Sequence, residues 1–452
     1  MAARHLPRTS LILTALLPLL ALLPNQTGAL PTQPPAPGLP GCTVFYGFDG
    51  QTALGGNNED FNNPLTLAWF IPASPGHFGR VYFGYDDYLP QGGVNDQGVF
   101  FDGLALAYKA MPATSARPHF PGGDLALTDE ILARSANVQD VIDITGHWNR
   151  TAGEYAQNLY GDRFGDSVII DGDTVLRKQG AFQLATNFRL VDNPNPPYPE
   201  ERYGVLSGML SRADHFSVEL FRQALAAAHA EGDYPTLYSQ VYELKTGIIH
   251  LYQYHDFEHE VVINLAAELA KGPHVVTIAS LFPKNADREQ WAAQQEMQWT
   301  AAAQALVNRS IPPDSQSWMS GDYNLSAEPE AGLAKIYLDE GQLYLQRPNQ
   351  FPITLYPAAA DTVFHHFFNG MDLTLTFQRD PSGQVTGAQG TFSFKPYNIS
   401  LPYNLTPSKG SASATTLPNT GLWIGIAGAG IVLIVLGSFV VVLRRRRHAA
   451  RH

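Results

Sequence analysis

The sequence predicts an α+β layered domain followed by a small all-β domain. Short β-branched and aromatic runs alternate with Gly, Pro and Asn-Asp turn signals from Cys42 onward. A helical pattern over Thr128–Ile144 is enclosed between them, and from about Pro313 only short strands and hairpin signals remain. A content of 44% hydrophobic and 15% charged residues suits a chain with a sizeable core.

In chain order, Cys42–Phe48 reads as a strand, Asp49-Gly50 as a turn, and Gln51–Leu54 as its return. Strands follow at Asp60–Trp69 and Gly79–Tyr85, and the glycine-rich stretch Gln91–Val99 reads as a loop entering the apolar run Val99–Leu106. Thr128 is placed as the cap of one helix running to Ile144, because Ile131, Leu132, Val138, Val141 and Ile142 fall near helical spacing. Ser167–Ile170 and Thr174–Arg177 flank an Asp171-Gly172 turn, Gly247–Tyr254 is strand-like, and Asn264–Lys271 before Gly272 is a short capped helix. The Ala- and Gln-rich segment Asp287–Val307 favours helix and connects to the second domain. That domain carries hairpin signals at Glu340-Gly341 and Asp380–Gly383, and Ser408–Thr416 is small and polar like a flexible stalk.

Both ends carry targeting patterns. Arg4 and Arg8, the short apolar run Leu11–Leu23 and the small residues Thr27-Gly28-Ala29 describe a secretory signal over residues 1–29, with a Pro-rich propeptide over 30–41. At the other end Leu422–Leu443 is an apolar run of 22 residues, long enough to span a bilayer, followed by Arg444–Arg447. Seven of the 29 Lys and Arg flank these two segments, which leaves 22 against 41 Asp and Glu in the body between. So acidic a body argues against nucleic acid as a partner.

Cys42 is the only cysteine of 452 residues and stands where the propeptide meets the folded chain. Cleavage after Gly41 would give one residue both a thiol, of pKa ~8.5, and an α-amine of pKa ~7.7–8.0. The amine can then take the thiol proton and return it to a leaving amine, so no histidine, metal or cofactor is needed.

Four stretches resemble, in order, the motifs of the N-terminal-nucleophile (Ntn) hydrolases that act on linear amides. They are Gly41-Cys42-Thr43, Gly56–Phe61, Gly93–Gly98 with Gly103-Leu104, and Thr186-Asn187-Phe188. That group includes choloylglycine hydrolases, penicillin V acylases and the isopenicillin N acyltransferase and carcinine hydrolase branch. The resemblance implies a four-layer αββα core over residues 42–284, a connector over 285–310 and a barrel-like β-domain over 311–405. It also implies roles: Cys42 as nucleophile, Asp60 holding its amine or thiol, the Asn95 backbone N–H and the Asn187 side chain as oxyanion donors, and Arg202 as electrostatic support. Asn57 and Asn58 fall at substrate-binding positions, and Asn57 stands where the bile-salt and penicillin V branch has arginine, which makes bile salts a less fitting substrate. The implied substrate is a small N-acyl amide. Leu417-Pro418-Asn419-Thr420-Gly421, before the apolar run, resembles a sortase signal, implying cleavage after Thr420 and attachment to peptidoglycan after transient membrane anchoring.

Other readings stay open at this level. Leu39–Cys42 resembles a lipobox, and His255-Asp256-Phe257-Glu258-His259 matches the H-x-x-E-H pattern of some zinc peptidases, which needs a helix. The same scaffold could also transfer its acyl group to a second amine, or serve as a wall-displayed binding protein without turnover.

Overall fold

A computed structural model describes residues 41–111, 116–121, 123–150, 152–307, 310–325, 333–347, 350–367, 371–394 and 399–408. The signal peptide, the propeptide before Gly41, the stalk beyond Ser408, the Leu417–Gly421 motif and the apolar run Leu422–Leu443 lie outside the described residues.

The first domain contains β1 (Thr43–Phe48), β2 (Ala53–Asp60), β3 (Thr66–Ile71), β4 (Arg80–Tyr85), β5 (Pro90–Asn95), β6 (Phe100–Ala105), β7 (Ala156–Gly161), β8 (Ser167–Asp171), β9 (Thr174–Arg177), β10 (Phe182–Ala185), β11 (Thr236–Glu243), β12 (Ile248–Gln253), β13 (Asp256–Asn264) and β14 (His274–Thr277). Its helices are α1 (Gly123–Arg134), α2 (Val138–Gly146), α3 (Glu201–Ser211), α4 (Val218–Ala227) and α5 (Leu265–Leu269), and α6 (Ala286–Leu306) leads to the second domain. The strands form two antiparallel sheets, of order β10-β1-β2-β11-β12-β13 and β14-β3-β4-β5-β6-β7-β8-β9.

Strand alternation turns these sheets into four layers. Val44 and Tyr46 of β1 face inward and pack with Phe83, Phe100 and Leu159 of the opposite sheet, whereas Phe45 between them faces outward onto Phe221 and Leu225 of α4. On the far side Trp69, Tyr82, Phe101 and Ile170 face Leu127, Ile131 and Val141 of α1 and α2. The result is an αββα stack, with the inter-sheet core in the middle.

Phe100 of β6 is fully buried between the sheets. A Cβ on Gly55 of β2 or on Gly161 of β7 would stand 2.6 Å from that ring, so both positions need glycine.

Several local expectations give way to stronger local signals. The single helix Thr128–Ile144 is two helices, because Asn137 takes an extended backbone and its side chain accepts from the Asp140 N–H, which caps α2. Thr128 lies inside α1 and its hydroxyl donates to the Asp124 carbonyl. The glycine-rich stretch Gln91–Val99 is largely strand β5, and only Asn95–Gly98 turns, with Gly98 at φ 78°. Helices α3 and α4, unread in the sequence, cover the outer face of the first sheet. Asn264 caps the short helix expected there, and Asn285, unread in the sequence, caps α6.

The second domain is a closed barrel. Among the described residues, Met371–Arg379 pairs with Thr362–His366 on one side and with Val385–Phe394 on the other, which closes an eight-strand ring, while Ile399–Pro402 adds a strand outside it. The barrel fills its interior with alternating residues such as Ala334, Ile336, Leu343, Leu345, Leu373 and Leu375. It docks on the β4–β5 turn: Arg347 donates to the Asp87 carbonyl at 3.0 Å and the Phe351 N–H donates to the Tyr88 hydroxyl at 2.7 Å.

Replacing Gly55 by Ala forces a methyl group against Phe100. We expect a loss of about 1–3 kcal/mol in denaturant unfolding, the range for overpacked cores, with secondary structure retained by circular dichroism.

Candidate active site

Cys42 immediately precedes β1, whose register pairs Thr43 with Asn58, so Cys42 stands opposite Glu59. Both side chains face the gap between the sheets. The Cys42 thiol donates to Glu59 Oε2 at 3.5 Å and lies 3.8 Å from the Asp60 carbonyl oxygen. Asn57, two residues back on the same face, donates from Nδ2 to Glu59 Oε1 at 3.3 Å.

Asp102 of β6 closes this cluster from the opposite sheet. Its carboxyl hydrogen-bonds with that of Glu59, and around the pair Asn57 Oδ1, the hydroxyls of Tyr85, Tyr238 and Tyr242 and the amide of Gln240 have no hydrogen-bond partner among the described residues. Burial, joined by the charge of Asp60, pushes the Glu59 carboxyl up to about 7. Burial and the adjacent Glu59 push Asp102 well above the carboxylate range. Two buried carboxyls with no cation beside them cannot both ionise, so they retain a proton between them. Burial first, then Glu59 and Asp60, also push the Cys42 thiol well up. In this form, with Cys42 still joined to Gly41, the sulfur is a neutral thiol.

The other face of β2 carries Asp60. The Thr236 hydroxyl donates to its Oδ1 and Arg202 Nη1 donates to its Oδ2 at 3.3 Å. Burial outweighs both donors and pushes Asp60 up to about 7. Arg202, in the first turn of α3, gathers the site: it donates to the Cys42 carbonyl at 3.4 Å, to Thr43 Oγ1 at 3.2 Å, to Asn187 Oδ1 at 3.4 Å and to Glu200 Oε2 at 2.5 Å. The residue before Cys42 passes directly beneath it. A Cβ on Gly41 would stand 2.5 Å from Arg202 Nη2, so a larger residue there would displace the guanidinium.

Asn187 Nδ2 donates to the Ala105 carbonyl at 2.9 Å. With Arg202 on its Oδ1, both ends of the amide are assigned and one N–H remains to be given. Ala105 itself was invisible to sequence reasoning. The Leu106 N–H donates to the Tyr155 carbonyl, so alternation turns the Ala105 N–H and C=O away from β7. On that side the pairing with β5 ends at Asp102, so the Ala105 N–H lies beyond the paired strand, on the same side as the carbonyl that Asn187 holds. A backbone donor leaves no side-chain signature, whereas Glu59 stood in the Asn57–Asp60 motif without a role.

Cys42, Asp60, Asn187 and Arg202 thus converge, and Asn57 joins them from the inter-sheet side. Asn95 does not. Its backbone N–H, expected to be an oxyanion donor, bonds the Val99 carbonyl at 3.0 Å. Its Nδ2 donates to the Leu132 and Ser135 carbonyls, and its Oδ1 accepts from the N–H groups of Gln97 and Val99, so Asn95 shapes a turn and ties it to the end of α1. Asn58 faces outward with Asp60, bonded to the Leu225 carbonyl and to Ser239. The His255–His259 segment is a hairpin turn and strand, and exposed His259 pairs with Asp256, so the two histidines of the H-x-x-E-H pattern do not share a helix face. An open groove of about 650 Å³ lined by Tyr198, Glu200, Val205 and Met209 lies beside Arg202 along α3.

The chain matches no described protein family and no curated protein. Among solved structures, penicillin V acylase from Agrobacterium tumefaciens aligns at 12% identity and a TM-score of 0.41, covering 52% of this chain and 90% of that one. Two variants of conjugated bile acid hydrolase from Clostridium perfringens align at 15% identity with TM-scores of 0.42 and 0.43, each over 54% of this chain and 97% of theirs.

The raised carboxyls have a consequence for stability. Glu59 and Asp60 keep their protons to about pH 7 when folded but release them near pH 4 when unfolded. The unfolded state therefore binds fewer protons across that window, and their contribution to stability is present below about pH 4 and lost as pH rises through about 7. In an uncleaved Cys42→Ala background, urea unfolding of Glu59→Gln should show a gain over its parent at pH 8 that shrinks by pH 4.5. A difference independent of pH would contradict the assignment.

Proposed function

We propose that the chain is an N-terminal-nucleophile amidohydrolase that cleaves linear C–N amide bonds of small N-acyl amides through Cys42. The observation that carries this is the placement of the lone thiol at the head of β1, between a buried carboxyl and a cation-braced backbone, one residue after a glycine that lies against Arg202. The αββα layering and the order of sequence motifs support the same reading.

Maturation comes first. In the precursor the Cys42 nitrogen is part of the peptide bond, so it cannot act as a base, and Glu59 is the base within reach of the thiol. Glu59 takes the proton as sulfur adds to the Gly41 carbonyl carbon. The Gly41–Cys42 C–N bond breaks with proton return to nitrogen, leaving a thioester. Water then cleaves that thioester, freeing a Gly41 carboxylate and a Cys42 that carries thiol and α-amine together.

Turnover repeats the sequence on an external amide. The α-amine accepts the thiol proton as sulfur attacks the acyl carbon, and developing charge on oxygen meets the Ala105 N–H and the remaining Asn187 N–H. The amine product leaves with the proton, and water hydrolyses the thioester to the acid. Arg202 and Thr236 keep Asp60, and with it the start of β1, in place. The buried carboxyls of Glu59 and Asp102 and the unpartnered hydroxyls of three tyrosines face the same gap and support a polar or amine-bearing substrate over a purely apolar one. Capture of the thioester by a second amine in place of water would make the same site an acyltransferase. The terminal segments support export and attachment to the cell wall through Thr420.

Two outcomes test this. Incubation with a panel of N-acyl amides followed by acid quench should give an acyl mass adduct on the peptide that begins with Cys42, absent in Cys42→Ala. No adduct and no turnover, with tight binding of the same amides, would favour the binding-protein reading. Conversion of the precursor should quicken as pH rises through about 7, where Glu59 ionises, and should slow roughly 100-fold or more in Glu59→Gln, the scale of a lost general base.

A further inference from the structure

The sequence reading assigns no metal, yet a third cluster of side chains lies near the nucleophile. His229 and Glu231 sit in the connection between α4 and β11, and His255 is in the two-residue turn between β12 and β13. One ligand atom from each of the three lies within 4.8 Å of the others.

The hydrogen bonding of His229 defines what its second nitrogen does. Nδ1 donates to the Ala226 carbonyl at 2.6 Å, which leaves the Nε2 lone pair pointing at Glu231 Oε1 only 3.2 Å away. A lone pair and a carboxylate oxygen at that separation need a cation between them, either a proton or a metal ion. A backbone carbonyl on the remote ring nitrogen is also the usual arrangement behind a metal-binding histidine. The separation itself fits: two ligands at ~2.0–2.1 Å on a tetrahedral ion lie roughly 3.3–3.4 Å apart.

His255 supplies what a shared proton would not require. Its ring stands 5.3 Å from that of His229, and it and Tyr254 hold the positive φ, 47° and 49°, of the two-residue hairpin turn.

We propose that His229, Glu231 and His255 form a divalent-cation site, suited by its two nitrogens and one carboxylate to zinc, with a fourth position open to water. The site is built into the frame of the nucleophile. The loop that carries His229 and Glu231 is closed by Thr236, whose N–H donates to the Ala230 carbonyl and whose hydroxyl both accepts from the Ala230 N–H and donates to Asp60. A bound ion would pin that loop to the β12–β13 turn and so stiffen the support of Asp60. This is a positioning role, with no part in bond cleavage.

Cobalt(II) titration of the secreted protein reports the site without reference to turnover. Uptake of one ion per chain with the intense visible bands of low-coordinate nitrogen and oxygen ligation is expected, displaced by zinc. His229→Ala and His255→Asn should each weaken binding about 100-fold or more, since loss of an outer partner alone costs 10–100-fold. Asn tolerates positive φ, so His255→Asn keeps the turn, and far-ultraviolet circular dichroism checks the fold of both variants. His259→Ala is the control and should bind as the parent does. No uptake at micromolar cobalt, or undiminished affinity in either His229→Ala or His255→Asn, overturns the proposal.

Discussion

The register of β1 against β2 is the constraint on which the site depends. Because side chains alternate along a strand, pairing Thr43 with Asn58 sends Cys42 and Glu59 into the gap between the sheets and sends Thr43 and Asp60 to the helix side. The thiol then meets acidic groups, while the backbone around it meets Arg202. A slip of one residue would put Cys42 on the same face as Asp60 and take the sulfur away from Glu59. The position of β2 is held on both faces, by the close approach of Gly55 to Phe100 inside and by Asn58 bonded to Ser239 of β11 outside.

Electrostatics then divides the two faces. Inside, Glu59 and Asp102 have no cation, burial dominates, and both resist ionisation. Outside, Asp60 has Arg202 and Thr236 and is still pushed up, because complete burial outweighs two donors. Such an arrangement costs stability, as concentrations of perturbed acids do at functional sites. The compensation lies in the aromatic core on either side, where fully buried Phe45 and Phe100 each contribute roughly 1.5–3 kcal/mol.

Much of this was legible in the chain, and the boundary is physical. Cys42 and the Asn57–Asp60 run could be read because both sit on adjacent antiparallel strands joined by a short turn, so sequence spacing maps directly onto distance. Asn187 and Arg202 were legible only through the order of motifs. Asp102 and Thr236 reach the site from strands distant in sequence, and no local pattern marks a carboxyl that will be buried. Asn95 misled because a polar residue before a Gly-rich turn looks the same whether its N–H faces a substrate or closes the hairpin. The helix break at Ser135–Asn137 was overlooked because apolar spacing continued across it, although Asn137 followed three residues later by Asp140 is a sound cap signal. The histidines show the same limit: His255 and His259 are close in sequence and diverge on the hairpin, whereas His229 and His255 are far apart in sequence and stack.

The account rests on one amino acid holding both nucleophile and base, and sequencing the first residues of catalytically competent protein tests that directly. It predicts a chain that begins at Cys42, with activity rising in proportion to the fraction of molecules that do. Full activity in chains that begin upstream of Cys42, where its nitrogen is still an amide, would contradict it.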